Sequence, residues 1–225
     1  METSLQFVTT ADGSKTIFNS LVGENYHSKH GALQESRHVF LKSGLEFFLE
    51  TTKRDEVSIL EVGFGTGLNF LLTADYCSKN NIRLNYTGIE AYPLPLEMIS
   101  ETGYEKYLDT GINDDFLKGY LHALKNETEL NEHCNLEIYV AKLEDFSTQK
   151  TYEVLYFDAF AAIHQPEMWS AEALEQCCKN LKQGGVFVTY AITGNLKRSM
   201  KALGFNIEKA PGAPGKREML RAIKN

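Results

Sequence analysis

No run in this 225-residue chain approaches the roughly 18 apolar residues that a membrane-spanning helix needs. The opening Met1-Glu2-Thr3-Ser4 shows no basic stretch leading into an apolar one, so no secretory leader is read there. Together these absences make a cytoplasmic protein the expectation. Cysteine is scarce, with four residues at positions 77, 134, 177 and 178. No C-x-x-C pair exists, and adjacent cysteines make poor joint ligands for one zinc. Buried reduced thiols are expected, and no metal site. Net positive charge is also missing. The formal charge is −7, which on its own argues against a nucleic-acid partner. The chain has no internal repeat, low-complexity tract or clear linker.

The residues that are present suit a globular core, with 43% hydrophobic and 24% charged. The length allows one large domain, or one domain with an extension. Charge is unevenly spread. Residues 196–225 hold eight Lys/Arg and two Glu, a local +6 that leaves −13 for the rest. A basic end on an acidic body can touch phosphate locally, or can simply be a solvated surface.

The most informative stretch is Ile59-Leu60-Glu61-Val62-Gly63-Phe64-Gly65-Thr66-Gly67-Leu68-Asn69-Phe70. It reads as a short apolar strand, a turn of alternate glycines and the start of a helix. Glycine lets backbone approach a ligand closely, and a helix N-terminus presents free N–H groups. The spacing G-x-G-x-G is not the dinucleotide fingerprint G-x-G-x-x-G. With Glu61 before it, the turn resembles motif I of class I S-adenosylmethionine (SAM) methyltransferases. The plainer alternative is a tight strand-to-helix turn without a ligand.

Along the rest of the chain, strands and helices alternate. A hairpin is expected around Asp12-Gly13 and a helix over Gln34–Glu50. Core strands are expected at Val57–Val62, Leu84–Glu90, Asn135–Ala141, Tyr152–Phe157 and Val186–Ala191. Helices are expected over Leu68–Lys79, from Leu96, over Asp114–Lys125, Met168–Leu181 and Leu196–Leu203. Two last strands, Asn206–Lys209 and Glu218–Ile223, form a hairpin. This predicts an α/β doubly wound, Rossmann-like sheet of seven mostly parallel strands. Residues 1–56 would form an N-terminal extension packed on a core of residues 57–225.

In such a sheet, ligands bind at the carboxyl ends of the strands. Gly63–Gly67, Glu90, the segment after Ala141 and Asp158 all fall at such ends and so converge on one crevice. Glu90 suits a ribose diol, whose two hydroxyls can donate to one carboxylate. Asp158 suits the orientation or deprotonation of an acceptor amine. Phe160 and Trp169 offer stacking surfaces, although Trp169 reads better as a core anchor and His164 as a surface loop residue.

Several segments together resemble the tRNA 5-aminomethyl-2-thiouridine methyltransferases, the MnmD type that also forms the methyltransferase half of the bifunctional MnmC type. They are Gly31-Ala-Leu-Gln-Glu-Ser-Arg-His-Val-Phe-Leu41, Gly63–Phe70, Glu90-Ala-Tyr-Pro-Leu94, Asp158-Ala-Phe-Ala161, Pro166-Glu-Met-Trp169 and Gly215-Lys-Arg-Glu-Met219. The resemblance implies methylation, with SAM as donor, of the aminomethyl nitrogen at the tRNA wobble uridine. It implies Asp158 as the catalytic carboxylate. It assigns the cofactor to Glu61, Gly63, Phe64, Gly65, Thr66, Gly67, Asn69 and Glu90. Where the family often has Gly-Asp after the third strand, this chain has Ala141-Lys142, so Glu144 or Asp145 is expected to serve the adenine. Glu35 and Arg37 would close over the cofactor or the substrate, or else form a structural ion pair. Phe160 would meet the base, and Lys197, Arg198, Lys216 and Arg217 the tRNA phosphates. Ala162 replaces a frequent proline of the family's D-[AG]-F-[AS]-P box. No second glycine fingerprint is present, so no FAD is expected. A methyltransferase for a small amine, an NAD-dependent oxidoreductase and a non-catalytic binding module are the competing readings.

Overall fold

The computed structural model describes residues 4–225. Its centre is a sheet of eight strands. In chain order these are β4 (Glu56–Val62), β5 (Arg83–Ile89), β6 (Thr128–Asn131), β7 (Cys134–Tyr139), β8 (Tyr152–Phe157), β9 (Leu181–Thr189), β10 (Phe205–Pro211) and β11 (Glu218–Lys224). Their spatial order is β10-β11-β9-β8-β4-β5-β7-β6. From β9 through β8, β4 and β5 to β7 all pairings are parallel, and β11 and β6 run antiparallel to their neighbours. The chain leaves β4 toward β5 and β7, then returns to add β8 on the other side. The switch point therefore lies between β4 and β8.

Alternation within the strands builds two cores. Ile59, Tyr86, Val154, Tyr156, Val186 and Val188 face one side, and Leu60, Val62, Leu155, Phe157 and Phe187 the other. Helices α3 (Leu68–Lys79), α4 (Leu96–Ser100) and α5 (Ile112–Ala123) contribute to the first core. Helices α6 (Ala171–Cys178) and α7 (Gly194–Ala202) contribute to the second.

Ahead of the sheet stands a small antiparallel sheet of β1 (Leu5–Thr9), β2 (Lys15–Asn19) and β3 (Glu24–Asn25). A continuous helix follows, through α1 (Ala32–Glu35), a π-helical stretch (Ser36–Glu46) and α2 (Phe47–Thr52). It lies directly on the large sheet. The Phe40 and Tyr156 rings are 5.3 Å apart, and a Cβ on Gly44 would sit 2.8 Å from the Tyr156 ring.

Three elements differ from the expectation. Thr128–Asn131 adds an eighth strand at the edge, where its polar residues gave no apolar alternation to read. Strand β9 starts at Leu181, ahead of the expected Val186, so Gly184-Gly185 lies inside it. The pairing jumps from Tyr152↔Leu181 to Val154↔Val186, so these glycines form an irregularity in the strand. Helix α6 is also shorter than expected, because Pro166–Trp169 forms a separate 3₁₀ turn before the Ser170 cap. All four cysteines are buried and free. Among the described residues, no helix is long and apolar enough to cross a membrane, and no cluster of three metal-ligating side chains occurs.

Candidate active site

The parallel strands end on a common rim. There Gly63, Gly65 and Gly67 all have φ between 52° and 86°. Side-chain-bearing residues resist this left-handed region. Space excludes them as well: a Cβ on Gly63 would lie 2.5 Å from the Asp158 carbonyl oxygen, and one on Gly65 2.9 Å from the Tyr26 ring. The Gly63 N–H donates to Ile89 O (3.0 Å) and the Asp158 N–H to Val62 O (2.9 Å), which locks the turn to the ends of β5 and β4.

Four carboxylates gather around this turn. Glu61 is fully buried and accepts from Asn69 Nδ2 and Tyr86 Oη, both at 2.8 Å. Burial pushes its pKa well above the usual range. Asn69 Nδ2 also donates to Asp158 Oδ2 at 2.8 Å, so one amide bridges two acids. Its oxygen, Oδ1, is buried without a partner. Asp158 is pushed up to about 8, mainly by burial and further by the Glu35 charge. Glu90 accepts the Gly65 N–H (2.9 Å) and the Tyr92 N–H (3.0 Å), and burial raises its pKa. Glu35, 5% exposed, accepts from the Ser28 N–H and from Lys216 Nζ, both at 2.8 Å.

A pocket of about 260 Å³ opens beside Asp158, walled by Glu24, Tyr26, Glu35, Phe160, Tyr190 and Lys216 among others. The aromatic walls are fixed. Tyr26 and Phe160 meet edge-on at 5.2 Å, Trp169 Nε1 donates to Phe160 O (2.8 Å), and Tyr190 Oη donates to Ala159 O (2.8 Å). Glu24 accepts the Ala161 N–H at 2.8 Å and ties β3 to the loop that follows Asp158.

The geometry thus brings together Glu35, Glu61, Gly63, Gly65, Gly67, Asn69, Glu90, Asp158, Phe160 and Lys216. Other residues of the sequence-derived site stand elsewhere. The Phe64 ring belongs to the core, against Phe70, Tyr86 and Phe116, which leaves only its backbone for a ligand. Thr66 is 1% exposed and accepts from Tyr104 Oη. Arg37 is exposed and donates to Tyr107 O, so no Glu35–Arg37 ion pair forms; residues two apart on a helix face different ways. Glu144 and Asp145 are exposed on the turn Leu143–Asp145, where Glu144 pairs with Lys142 at 3.5 Å. Lys197 and Arg198 lie on α7, and Arg217 is exposed on the β10–β11 turn. Lys216, assigned to phosphates, points into the pocket instead. Sequence reasoning missed Glu24, Tyr26 and Tyr190. Tyr190 directly follows β9, so the strand-end rule that found Asp158 applied to it equally.

A family model described as S-adenosyl-L-methionine-dependent methyltransferase matches residues 109–225, more than half of the chain. The chain belongs to this family. Curated relatives named tRNA 5-methylaminomethyl-2-thiouridine biosynthesis bifunctional protein MnmC include those of Leptospira borgpetersenii and Aromatoleum aromaticum. The first is 29% identical across 87% of this chain and 31% of its own length. The second is 30% identical across 94% of this chain and 34% of its own length. The chain therefore spans about a third of these relatives. Among solved structures, MNMC2 of Aquifex aeolicus superposes with a TM-score of 0.79 over 99% of this chain and 71% of that one, at 23% identity. Spermidine synthase of Thermotoga maritima superposes with a TM-score of 0.57 at 12% identity, over 97% of this chain and 68% of that one. These two likenesses speak to the fold, a class I methyltransferase sheet.

The cofactor of the family is SAM, and the residues of the rim suit it. The glycine turn packs so closely on Asp158, Tyr26 and Phe116 that it tolerates no Cβ, and its bare backbone forms the rim. The twelve-residue helix α3 starts immediately after it. The unpartnered Asn69 Oδ1 can accept from an ammonium, and Glu90 at the end of β5 can accept from hydroxyls.

Proposed function

We propose that this enzyme methylates the aminomethyl nitrogen of 5-aminomethyl-2-thiouridine at the wobble position of tRNA. The observation that carries the reading is the pocket at Asp158: acidic, walled by aromatic rings, and open beside the glycine turn. An acidic aromatic pocket favours a cationic amine attached to a flat base. The relatives' names, which specify 5-methylaminomethyl-2-thiouridine biosynthesis on tRNA, support the same substrate.

SAM, when bound, supplies a methyl group on a sulfonium that is already activated for displacement. The glycine turn, Glu61, Asn69 and Glu90 would hold that donor. Phe160 and Tyr26 would hold the base; positioning the acceptor is the main task of the protein in such a transfer. The amine must be neutral to attack. Asp158 accepts its proton, and a carboxylate whose pKa has risen to about 8 is matched to that task near neutral pH. Asn69, bonded to both Glu61 and Asp158, holds Asp158 toward the turn. Lys197, Arg198 and Arg217 supply phosphate contacts on a body acidic enough to limit nonspecific RNA binding. The site of action is the cytoplasm, where tRNA is matured.

The test is incubation with methyl-labelled SAM and tRNA that lacks only the terminal methyl, followed by nucleoside analysis. Label in 5-methylaminomethyl-2-thiouridine is the expected result. Label in a free polyamine, with none in tRNA, would replace this reading with that of a small-amine methyltransferase.

A further inference from the structure

A lysine at a hairpin tip ordinarily extends its ammonium into water. Lys216, in the turn between β10 and β11, turns inward. Its Nζ lies 2.8 Å from Glu35 Oε1 and 3.8 Å from the centroid of the Tyr190 ring. The Glu35 side chain is only 6% exposed, against 33% for Lys216. The second oxygen of Glu35 is taken by the Ser28 N–H, so one oxygen remains to face the pocket. The hydroxyl of Tyr190 is committed to Ala159 O, so the ring offers its face. A desolvated carboxylate beside an aromatic face recognises a primary alkylammonium.

Lys216 and the substrate carry the same chemical group. Lys216 presents –CH₂–NH₃⁺, and so does a 5-aminomethyl base before it loses its proton. The cage and Asp158 line one pocket of about 260 Å³. We infer that Glu35 and Tyr190 form the receptor for the substrate's ammonium, and that Lys216 occupies this receptor until substrate displaces it. The inference rests on the amine-methylating reading above. Displacement needs only side-chain rotation, because the turn itself is held by backbone bonds from Lys216 N to Ala213 O (2.8 Å) and from Gly212 N to Arg217 O (3.2 Å). The arriving ammonium pairs first with Glu35 and Tyr190, then gives its proton to Asp158 and presents a lone pair. A neutral isostere cannot replace Lys216 without stranding the buried Glu35, so the cage selects for charge.

The test is equilibrium binding of two nucleosides, 5-aminomethyluridine and its neutral counterpart 5-hydroxymethyluridine, to the protein saturated with S-adenosylhomocysteine. The wild type should prefer the aminomethyl form. If Lys216 fills the cage nine-tenths of the time, Lys216→Met should tighten the aminomethyl nucleoside about tenfold and leave the hydroxymethyl one unchanged. Lys216→Ser, which leaves room for water at Glu35, repeats the measurement should the Met variant fail to fold. Glu35→Gln should abolish the preference, and Tyr190→Leu should reduce it about two- to fivefold. Unaltered SAM affinity certifies each variant as folded. Weaker aminomethyl binding in both Lys216 variants, or a preference that survives Glu35→Gln, would overturn the inference. Methylation of tRNA is read separately. If it failed while the preference and its gain in Lys216→Met persisted, the amine receptor would stand and the tRNA substrate would fall.

Discussion

The two rims of the central sheet treat their acids differently. At the rim of the strands' amino ends, Glu153 is paired with Lys182, and Lys150 Nζ lies 2.8 Å from Glu137 and 3.0 Å from Glu127. At the carboxyl-end rim Glu35 is paired with Lys216, but Glu61, Glu90 and Asp158 have no lysine or arginine within ion-pair distance among the described residues. They are held by an amide, a phenol and backbone N–H groups instead. The amino-end rim even has the larger cavity, about 330 Å³ against about 260 Å³. Size therefore does not mark the site. At the amino-end rim, acids neutralised by neighbouring lysines complete the fold. At the carboxyl-end rim, acids left without cations are costly to the free protein and are kept where a cationic ligand arrives. The lysine partner there, Lys216 on Glu35, is on the inference above one that substrate displaces. A sulfonium donor and an ammonium acceptor are two such ligands.

The strongest way to break this comparison is Asp158→Asn. It should lower kcat by about 10²- to 10⁴-fold while SAM affinity, measured by calorimetry, is retained. The same residue sharpens it through pH. Its pKa of about 8 in the fold exceeds the ordinary 3.8, so ionising it costs stability as pH rises from 4 through 8. Asp158→Asn should therefore raise the melting temperature at pH 9 and have little effect at pH 4. In the wild type, kcat/KM should climb with pH toward this value. Next in size, Gly63→Ala forces a Cβ against the Asp158 carbonyl in a left-handed conformation. A loss of about 1–3 kcal/mol in chemical denaturation is expected, together with weaker SAM binding. At the opposite rim, Lys182→Met strands Glu153, whose side chain is 7% exposed. It should cost about 1–3 kcal/mol of stability yet leave kcat within about twofold. A large catalytic defect there would erase the distinction between the rims. The smallest effect belongs to Arg217→Glu, which should weaken tRNA binding and lower its salt slope by about one or two, with SAM affinity unaltered.

Much of the architecture was legible because parallel strands buried on both faces read as short apolar runs, as in Ile59–Val62 and Tyr152–Phe157. The strand-end rule then located Glu90 and Asp158 without any contact information. Apolar runs gave no sign of the edge strand Thr128–Asn131, which is polar, and set the start of β9 too late, where Gly184-Gly185 marks an irregularity within the strand and not a boundary. At the site, the direction of side chains was the hidden quantity. Phe64 looks like part of a ligand turn by position, yet its ring fills the space left by Gly88, where a Cβ would lie 2.5 Å from it. Arg37 stands two residues from Glu35 in sequence and on a different side of the helix. The true partner of Glu35 is 181 residues away.

By itself, then, the sequence determined the alternation of the sheet, the left-handed glycine turn and the two acids at the ends of β5 and β8, because each depends on residues close in the chain. Tertiary structure alone decided which acids stay without cations, which rings wall the pocket and where Lys216 points. Those outcomes depend on the packing of Glu24, Tyr26, Glu35, Asp158, Tyr190 and Lys216, brought together from five separate loops and helices, and on the burial that this packing imposes. No local pattern encodes a desolvation that arises only when distant segments close over the same few atoms.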